Sequence, residues 1–489
     1  MGAAGRLSGQ EILRLDIGGG GGSTESGGYV GTDASTGNAG TAGGTGETPP
    51  DAHVRGDGGR ERFGAASTDS SPSHTSAQLP DIRPRARPPL FPAFRHRDFR
   101  LFYAGFVVSL VGVWMQRVAQ SWLVLDLTDS AFWVGTIDAM SSLPVLAFTL
   151  HAGVLADRVP RRSMVMVTQT GAMVVALTLA GLVLTGAVEL WHIAVLACLL
   201  GTANAFDIPA RHALMVDMVG RQDLTSAVAL NSSAFNASRI VGPAVAGIII
   251  AAAGVGICFL LNGLSYLAVI GALAMLKVVT ARRDGGAAAT IQQRLRAGYR
   301  HIVTERRTRM IILNIATVSI FGLPAMVLLP VMARDVLGRG AREYGWMMSA
   351  MGIGALAGAL AVAVFGHRLP RGRLLGASAT LFGCSVSLFG LSRSLGLSLG
   401  LLVFLGCAMV VTTALSNTLV QTLAPDELRA RVVAFYAWAF VGLSPFGALQ
   451  AGAVAEWIGA GGAIAIGGTV TTGVAAFVLL RSSDLRETW

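Results

Sequence analysis

The chain is built from long runs in which nearly every position is apolar. They lie near 101–125, 132–156, 163–186, 191–211, 227–253, 256–278, 310–332, 344–366, 373–391, 397–422, 431–456 and 460–480. A surface helix of a soluble domain shows an apolar stripe backed by a polar face, and these runs have no such polar face. A bilayer's hydrocarbon core is about 30 Å thick, and a helix crosses it in roughly 20 residues. The pattern therefore predicts twelve transmembrane helices. The clearest stretch is 240–276, which carries no charge and is interrupted only by Gly254-Val255-Gly256. Two helices joined by a tight turn are expected there. The run 191–211 gives the weakest signal, with Asp207 and Arg211 at its end.

Residues 1–95 differ in kind. Their first 90 positions hold 20 of the 62 glycines, with Ser, Thr, Pro and mixed charge, and no helical or strand period. A disordered cytoplasmic tail is expected. No basic start leads into an apolar segment, so a cleaved secretory signal is not expected. The glycine run Gly18 to Gly22 follows no strand and opens no helix, so it reads as linker rather than phosphate loop. Arginines crowd the stretch from Arg83 to Arg100, as suits a segment lying on an anionic leaflet. The remaining layout is a six-helix half over 96–279, a linker over 280–308, a second six-helix half over 309–481 and a short cytoplasmic end at 482–489.

Composition sharpens this picture. Only 13% of residues are charged and 52% are hydrophobic, against about 25% charged in soluble domains, and the mean hydropathy is +0.58. A soluble enzyme is excluded. The net charge of +10 would suggest a nucleic-acid partner in a soluble chain. Here the arginines sit between apolar runs, where membrane orientation accounts for them and no nucleic acid is implied. Loops on the tail side, from Arg158 to Arg431, hold nineteen basic residues; the opposite loops hold only Arg334, Arg339, Arg342 and Arg393. The positive-inside rule places both termini and the middle linker in the cytoplasm. Cys198, Cys258, Cys384 and Cys407 lie inside apolar runs without metal-ligand spacing, so they read as small packing residues. No metal ion or cofactor is expected.

The chain also resembles itself. Leu214-Met215-Val216 through Asp223-Leu224 leads into a span bearing Gly242-Pro243, and Leu419-Val420-Gln421 through Glu427-Leu428 leads into one bearing Ser444-Pro445. Six helices followed by six in the same sense is the plan of a transporter made from parallel repeats.

Two motifs carry mechanism. Between the second and third spans stands Gly153-Val154-Leu155-Ala156-Asp157-Arg158-Val159-Pro160-Arg161-Arg162. Gly153 permits close backbone approach, and Asp157 with Arg158, Arg161 and Arg162 can form a charge cluster that breaks and reforms as helices move. The same arginines also serve topology, and Asp157 can cap the next helix. In the fifth span Ala234, Ser238, Gly242-Pro243, Ala246 and Gly247 make a smooth stripe for close helix packing, and Pro243 favours a kink.

The first motif, placed between spans two and three of twelve, closely resembles the loop signature of the major facilitator superfamily. The second resembles that superfamily's antiporter motif, departing from it where Ala234, Ser238 and Ala246 replace glycine. The resemblance covers about 92–481. Phe91 to Arg100, Gly112-Val113-Trp114-Met115-Gln116 and Asp207-Ile208-Pro209-Ala210-Arg211 look most like the branch of enterobactin exporters and macrolide efflux proteins. That resemblance implies export of small amphipathic compounds coupled to protons.

Charges within spans add independent evidence, because a central Arg or Asp costs about 2.5–3.5 kcal/mol on insertion scales. Arg117 with Gln116 and Gln120 lies in span one, Asp138 in span two, and Arg239 with Asn236 in span five. Either arginine can pair with Asp138, which reads as a coupling carboxylate or as half of a buried ion pair. Asp207 and Arg211, four apart, suit an ion pair near a helix end. In the second half, Trp346, Trp438, Tyr436, Phe404, Met347 and Met348 are candidates for an adaptable apolar wall. The expected protein is an all-α polytopic transporter acting as a monomer by alternating access on a small molecule. An importer of the same fold is the alternative, and a membrane enzyme or sensor ranks well below both.

Overall fold

The computed structural model describes residues 91–277, 299–366 and 370–481. Residues 1–90 of the expected tail, most of the linker and the C-terminal end lie outside the described residues, as do the surroundings of Gly153 and the side chains of Asp157 and Arg158; the end of the expected tail is instead ordered, with a helical turn at Pro92–Arg95 that buries Ala93. The helices are α1 (Arg97–Thr128), α2 (Ala131–Arg158), α3 (Arg161–Leu184), α4 (190–219), α5 (221–253), α6 (Val255–Met275), α7 (Arg306–Val327, continued by short turns to Val336), α8 (Ala341–Phe365), α9 (Arg371–Leu391), α10 (Leu395–Leu423), α11 (429–458) and α12 (460–481).

Two of these boundaries are set by single glycines. Backbone bonding runs without a gap from Leu190 to Ala253, 64 residues, which as one helix would be roughly 100 Å long. Gly220, at φ +70°, breaks it into α4 and α5; Gly459, at φ +81°, likewise separates α11 from α12. Only glycine takes such a backbone without a Cβ penalty. Among the described residues, the ten continuous apolar segments therefore make twelve passes, as the hydrophobic pattern predicts. The weak run at 191–211 proves to be part of a helix that continues to Val219, so Asp207 and Arg211 lie inside it rather than at its end.

Each half repeats one packing scheme. α1 packs on α5 and α6, α2 on α4, and α3 on α4 and α6; α7, α8 and α9 make the equivalent contacts with α10, α11 and α12. The halves then meet along two seams of small residues, where backbones touch. On one seam Gly135 of α2 packs against the Ala448 carbonyl, and a Cβ on Gly452 would lie 2.9 Å from the Ala131 carbonyl. On the other, Gly345 of α8 packs against the Pro243 carbonyl, and a Cβ on Gly247 would lie 2.8 Å from the Ala341 carbonyl. Shifting α2 onto α8 and α5 onto α11, each by a constant number of positions, carries one set of contacts onto the other. The internal repeat is thus realised as a pseudo-twofold.

α7 and α11 are not regular. α7 contains π turns at Val318–Gly322 and Met332–Val336, and α11 has one at Trp438–Gly442. Ser319 Oγ donates to the Phe440 carbonyl at 2.7 Å, which ties two of these turns together and satisfies a carbonyl from the altered hydrogen-bond ladder. Single π turns often mark functional stretches of helix.

Candidate functional site

The charged residues of α1, α2 and α5 converge near the half-to-half seams. Arg117 of α1 lies 3.6 Å from Asp138 of α2, with side-chain exposures of 53% and 25%. Arg239 does not join that pair. It is buried, its guanidinium carbon sits 5.8 Å from the Trp114 ring centroid, and its Nε has no hydrogen-bond partner. Arg117 lies 5.7 Å from the same centroid. A cation–π contact contributes about 0.5–2 kcal/mol, less than the roughly 2.5–3.5 kcal/mol that a central arginine costs. Trp114 alone does not compensate Arg239.

A cavity of about 30 Å³ is bounded by Arg117, Ser121, Asp138, Met326, Val327, Tyr344 and Met348. It has room for about one water, and Met326, Val327, Tyr344 and Met348 of the second half stand against this side of Asp138. The cover is aromatic: Trp122 stacks on Tyr344 with centroids 6.1 Å apart, and Ser121 lines the cavity beside it. Met348 contributes to this wall, whereas Met347 is fully buried, Tyr436 donates to the Thr413 carbonyl, and Phe404 and Trp438 are exposed. Trp346 lines a shallow apolar surface groove between α8 and α10.

Other candidates occupy separate places. Gln116 is buried and accepts from Asn262 of α6 rather than facing Asp138. Gln120 is half-buried, and Asn236 donates back to the Ser232 carbonyl in its own helix. Asp207 is buried and fully engaged, by Arg211 Nε at 3.2 Å, Thr168 Oγ1 at 3.0 Å and Gln169 Nε2 at 2.9 Å. The loop arginines tie helices within one half: Arg161 donates to Asp217 at 2.7 Å and Arg162 to the Ala274 carbonyl at 2.9 Å. In the α5 stripe, Gly242 abuts Trp114, Pro243 and Gly247 abut α8, and Ala234, Ser238 and Ala246 are buried.

A second cluster lies at the arginine-poor face, and sequence reading passed over it. Arg334, counted there only as a loop charge, donates to Asp129 at 2.9 Å, to the Leu125 carbonyl at 3.0 Å and to Asp335 at 2.7 Å. Burial acts to lower its pKa, and the Asp335 and Asp129 carboxylates outweigh that, holding it above its usual value. Asp129 ends α1 in the left-handed conformation at φ +49°, which Asp tolerates better than most residues. Nearby, Glu456 of α11 accepts from Ser130 Oγ at 3.3 Å and Phe132 N at 3.2 Å, at the start of α2. Both links join the halves. At the arginine-rich face the ion pairs His96–Asp223, Arg161–Asp217 and Arg429–Asp426 each stay within one half. Only the adjacency of Arg334 and Asp335 could have hinted at the Arg334 cluster; partners some two hundred positions apart leave no local signal.

Twelve spanning helices, two pseudo-equivalent halves and charges held at their seams define a membrane transporter of the major facilitator fold. The chain belongs to the transmembrane secretion effector family of that superfamily, whose family model matches residues 89–488. A multidrug efflux pump, Tap, of Mycolicibacterium fortuitum is 29% identical over 356 residues, covering 70% of this chain and 85% of the pump. The staphyloferrin A transporter of Staphylococcus aureus is 25% identical over 260 residues, 53% of this chain and 64% of that protein. Among solved structures, a bacterial homologue of the lysosomal transporter Spinster, inward-facing, superposes with a TM-score of 0.62 at 12% identity, covering 82% of this chain and 99% of that one. An inward-facing bacterial homologue of ferroportin gives 0.60 at 16% identity, over 80% and 99%.

Proposed function

We propose that this protein exports small amphipathic molecules across the plasma membrane by alternating access, exchanging them for protons, as a monomer with both termini in the cytoplasm. The observation that carries this reading is the one-sided closure. The links between halves described above, Arg334–Asp129 and Glu456–Ser130, lie at the arginine-poor face, which the positive-inside rule makes the outer one. Halves held together at the outer face are what the loading state of an exporter requires. Beneath that seal Asp138 stands between the halves, where a proton entering from outside would reach it once the seal opens and would release Arg117. The similarity to a multidrug efflux pump and to a staphyloferrin A transporter supports a small-molecule cargo.

Expression in an efflux-deficient bacterium tests this. Wild type and empty vector are compared against macrolides, dyes and siderophores at matched membrane abundance. The expected result is a several-fold rise in inhibitory concentration for part of the panel, abolished by a protonophore. Greater sensitivity in the expressing strain would mean import, and resistance indifferent to the protonophore would remove the proton.

A further inference from the structure

Arg239 is a cation for which the charge pairing of the bundle provides no counterpart. Its side chain is 7% exposed, its Nε is unpartnered, and among the described residues no carboxylate pairs with it. The two aspartates inside the neighbouring helices are already engaged, Asp138 by Arg117 and Asp207 by Arg211 with Thr168 and Gln169. Of Arg117, Arg211 and Arg239, Arg239 is thus the one left without a carboxylate among the described residues. A buried charge without a partner is expensive to keep, and one retained at a moving interface is a site for a charge brought in from outside.

We propose that Arg239, with Arg117 beside it and Trp114 shared by both, is an anion-binding pole of the transport pathway, and that the cargo is an amphipathic organic anion, a carboxylate foremost. The inference rests on the transport reading above and narrows its substrate class. A guanidinium presents a planar fork matched to a carboxylate, and its charge-assisted bonds are the strongest available in a dry site. Both guanidinium carbons lie within cation–π range of the Trp114 ring, at 5.7 and 5.8 Å.

The position also explains access to a buried group. The Arg239 carbonyl faces Gly352 of α8 across the seam, and the neighbouring Ile240 carbonyl accepts from Ser349 Oγ at 2.7 Å. Arg239 is therefore on the turn of α5 whose neighbours change when the halves rock. An anion that neutralises Arg239 removes the cost of carrying that charge through the rearrangement, so cargo and motion are linked.

Binding to the purified full-length chain in nanodiscs tests the proposal, with three fluorescent probes of one shape: 1-pyrenebutyrate, 1-pyrenebutanamide and 4-(1-pyrenyl)butyl-trimethylammonium. Wild type is expected to bind the carboxylate roughly tenfold or more tighter than the other two. Arg239→Gln should remove most of that preference and Arg239→Lys keep part of it. Equal binding of the three, absence of binding by all, or preference for the ammonium overturns the proposal without recourse to a variant. Binding requires no gradient, so anion preference beside failed resistance would sink export alone. Robust export beside equal probe binding would sink the anion pole alone.

Discussion

Arg117, Asp138 and Arg239 stand out along the chain because each places a charge inside an apolar run. What the run cannot say is which arginine Asp138 meets. Arg117 lies one helical pass away and reaches it at 3.6 Å; Arg239 is turned by α5 toward Trp114. Gln116, one position before Arg117, points to Asn262 instead, because successive residues on a helix are about 100° apart. Under the proposed coupling role, Asp138→Asn should cut proton-driven uphill transport in proteoliposomes by about tenfold, while downhill movement of the same substrate persists. Unchanged uphill transport would leave Asp138 a structural partner of Arg117.

Among the elements, α5 shows how a motif can be legible while its job is not. Its small residues mark close packing, and packing is what they do, between α1 on one side and α8 on the other. α11 makes the matching seam with Ala448 and Gly452, so the stripe is half of a repeated device for bringing backbones together. The seams leave no space for a side chain. Gly345→Val should therefore overpack the α5–α8 seam, costing about 1–3 kcal/mol. A lowered thermal midpoint in detergent and slowed transport are the expected readings; a variant as stable and as active as wild type would mean that the seam is looser than its geometry. The irregular α7 and α11 were not legible, since a π turn adds one residue to a helix without altering its hydrophobicity.

For the molecule as a whole, the charged side-chain links between the halves among the described residues gather near one end of the bundle. Arg334 bridges to Asp129 and the Leu125 carbonyl, and Glu456 bridges to the start of α2. If these hold the outer side shut, the double variant Arg334→Gln with Glu456→Gln should shift the population toward outward opening. The measurement is labelling of Ser121→Cys, in a background lacking the four native cysteines, by a maleimide added outside intact cells. Several-fold faster labelling is expected; an unchanged rate would show that the apolar seams alone close that face.

By itself the sequence determined the solvent, the number of passes, the doubling of six helices and the superfamily, because each is written in local hydrophobicity, loop charge or short motifs. It also marked most of the buried charges, since a charge in hydrocarbon is conspicuous wherever it stands. Apart from the local Asp207–Arg211 pair, whose four-residue spacing is visible in the chain, pairing was decided by tertiary structure. Arg161 with Asp217, Arg334 with Asp129 and Glu456 with Ser130 join residues far apart in the chain, and the energy of each depends on distance and burial, which exist only once the helices have packed. The unpartnered state of Arg239 belongs to the same class: the arginine is in the sequence, and the missing counter-charge is a property of the fold.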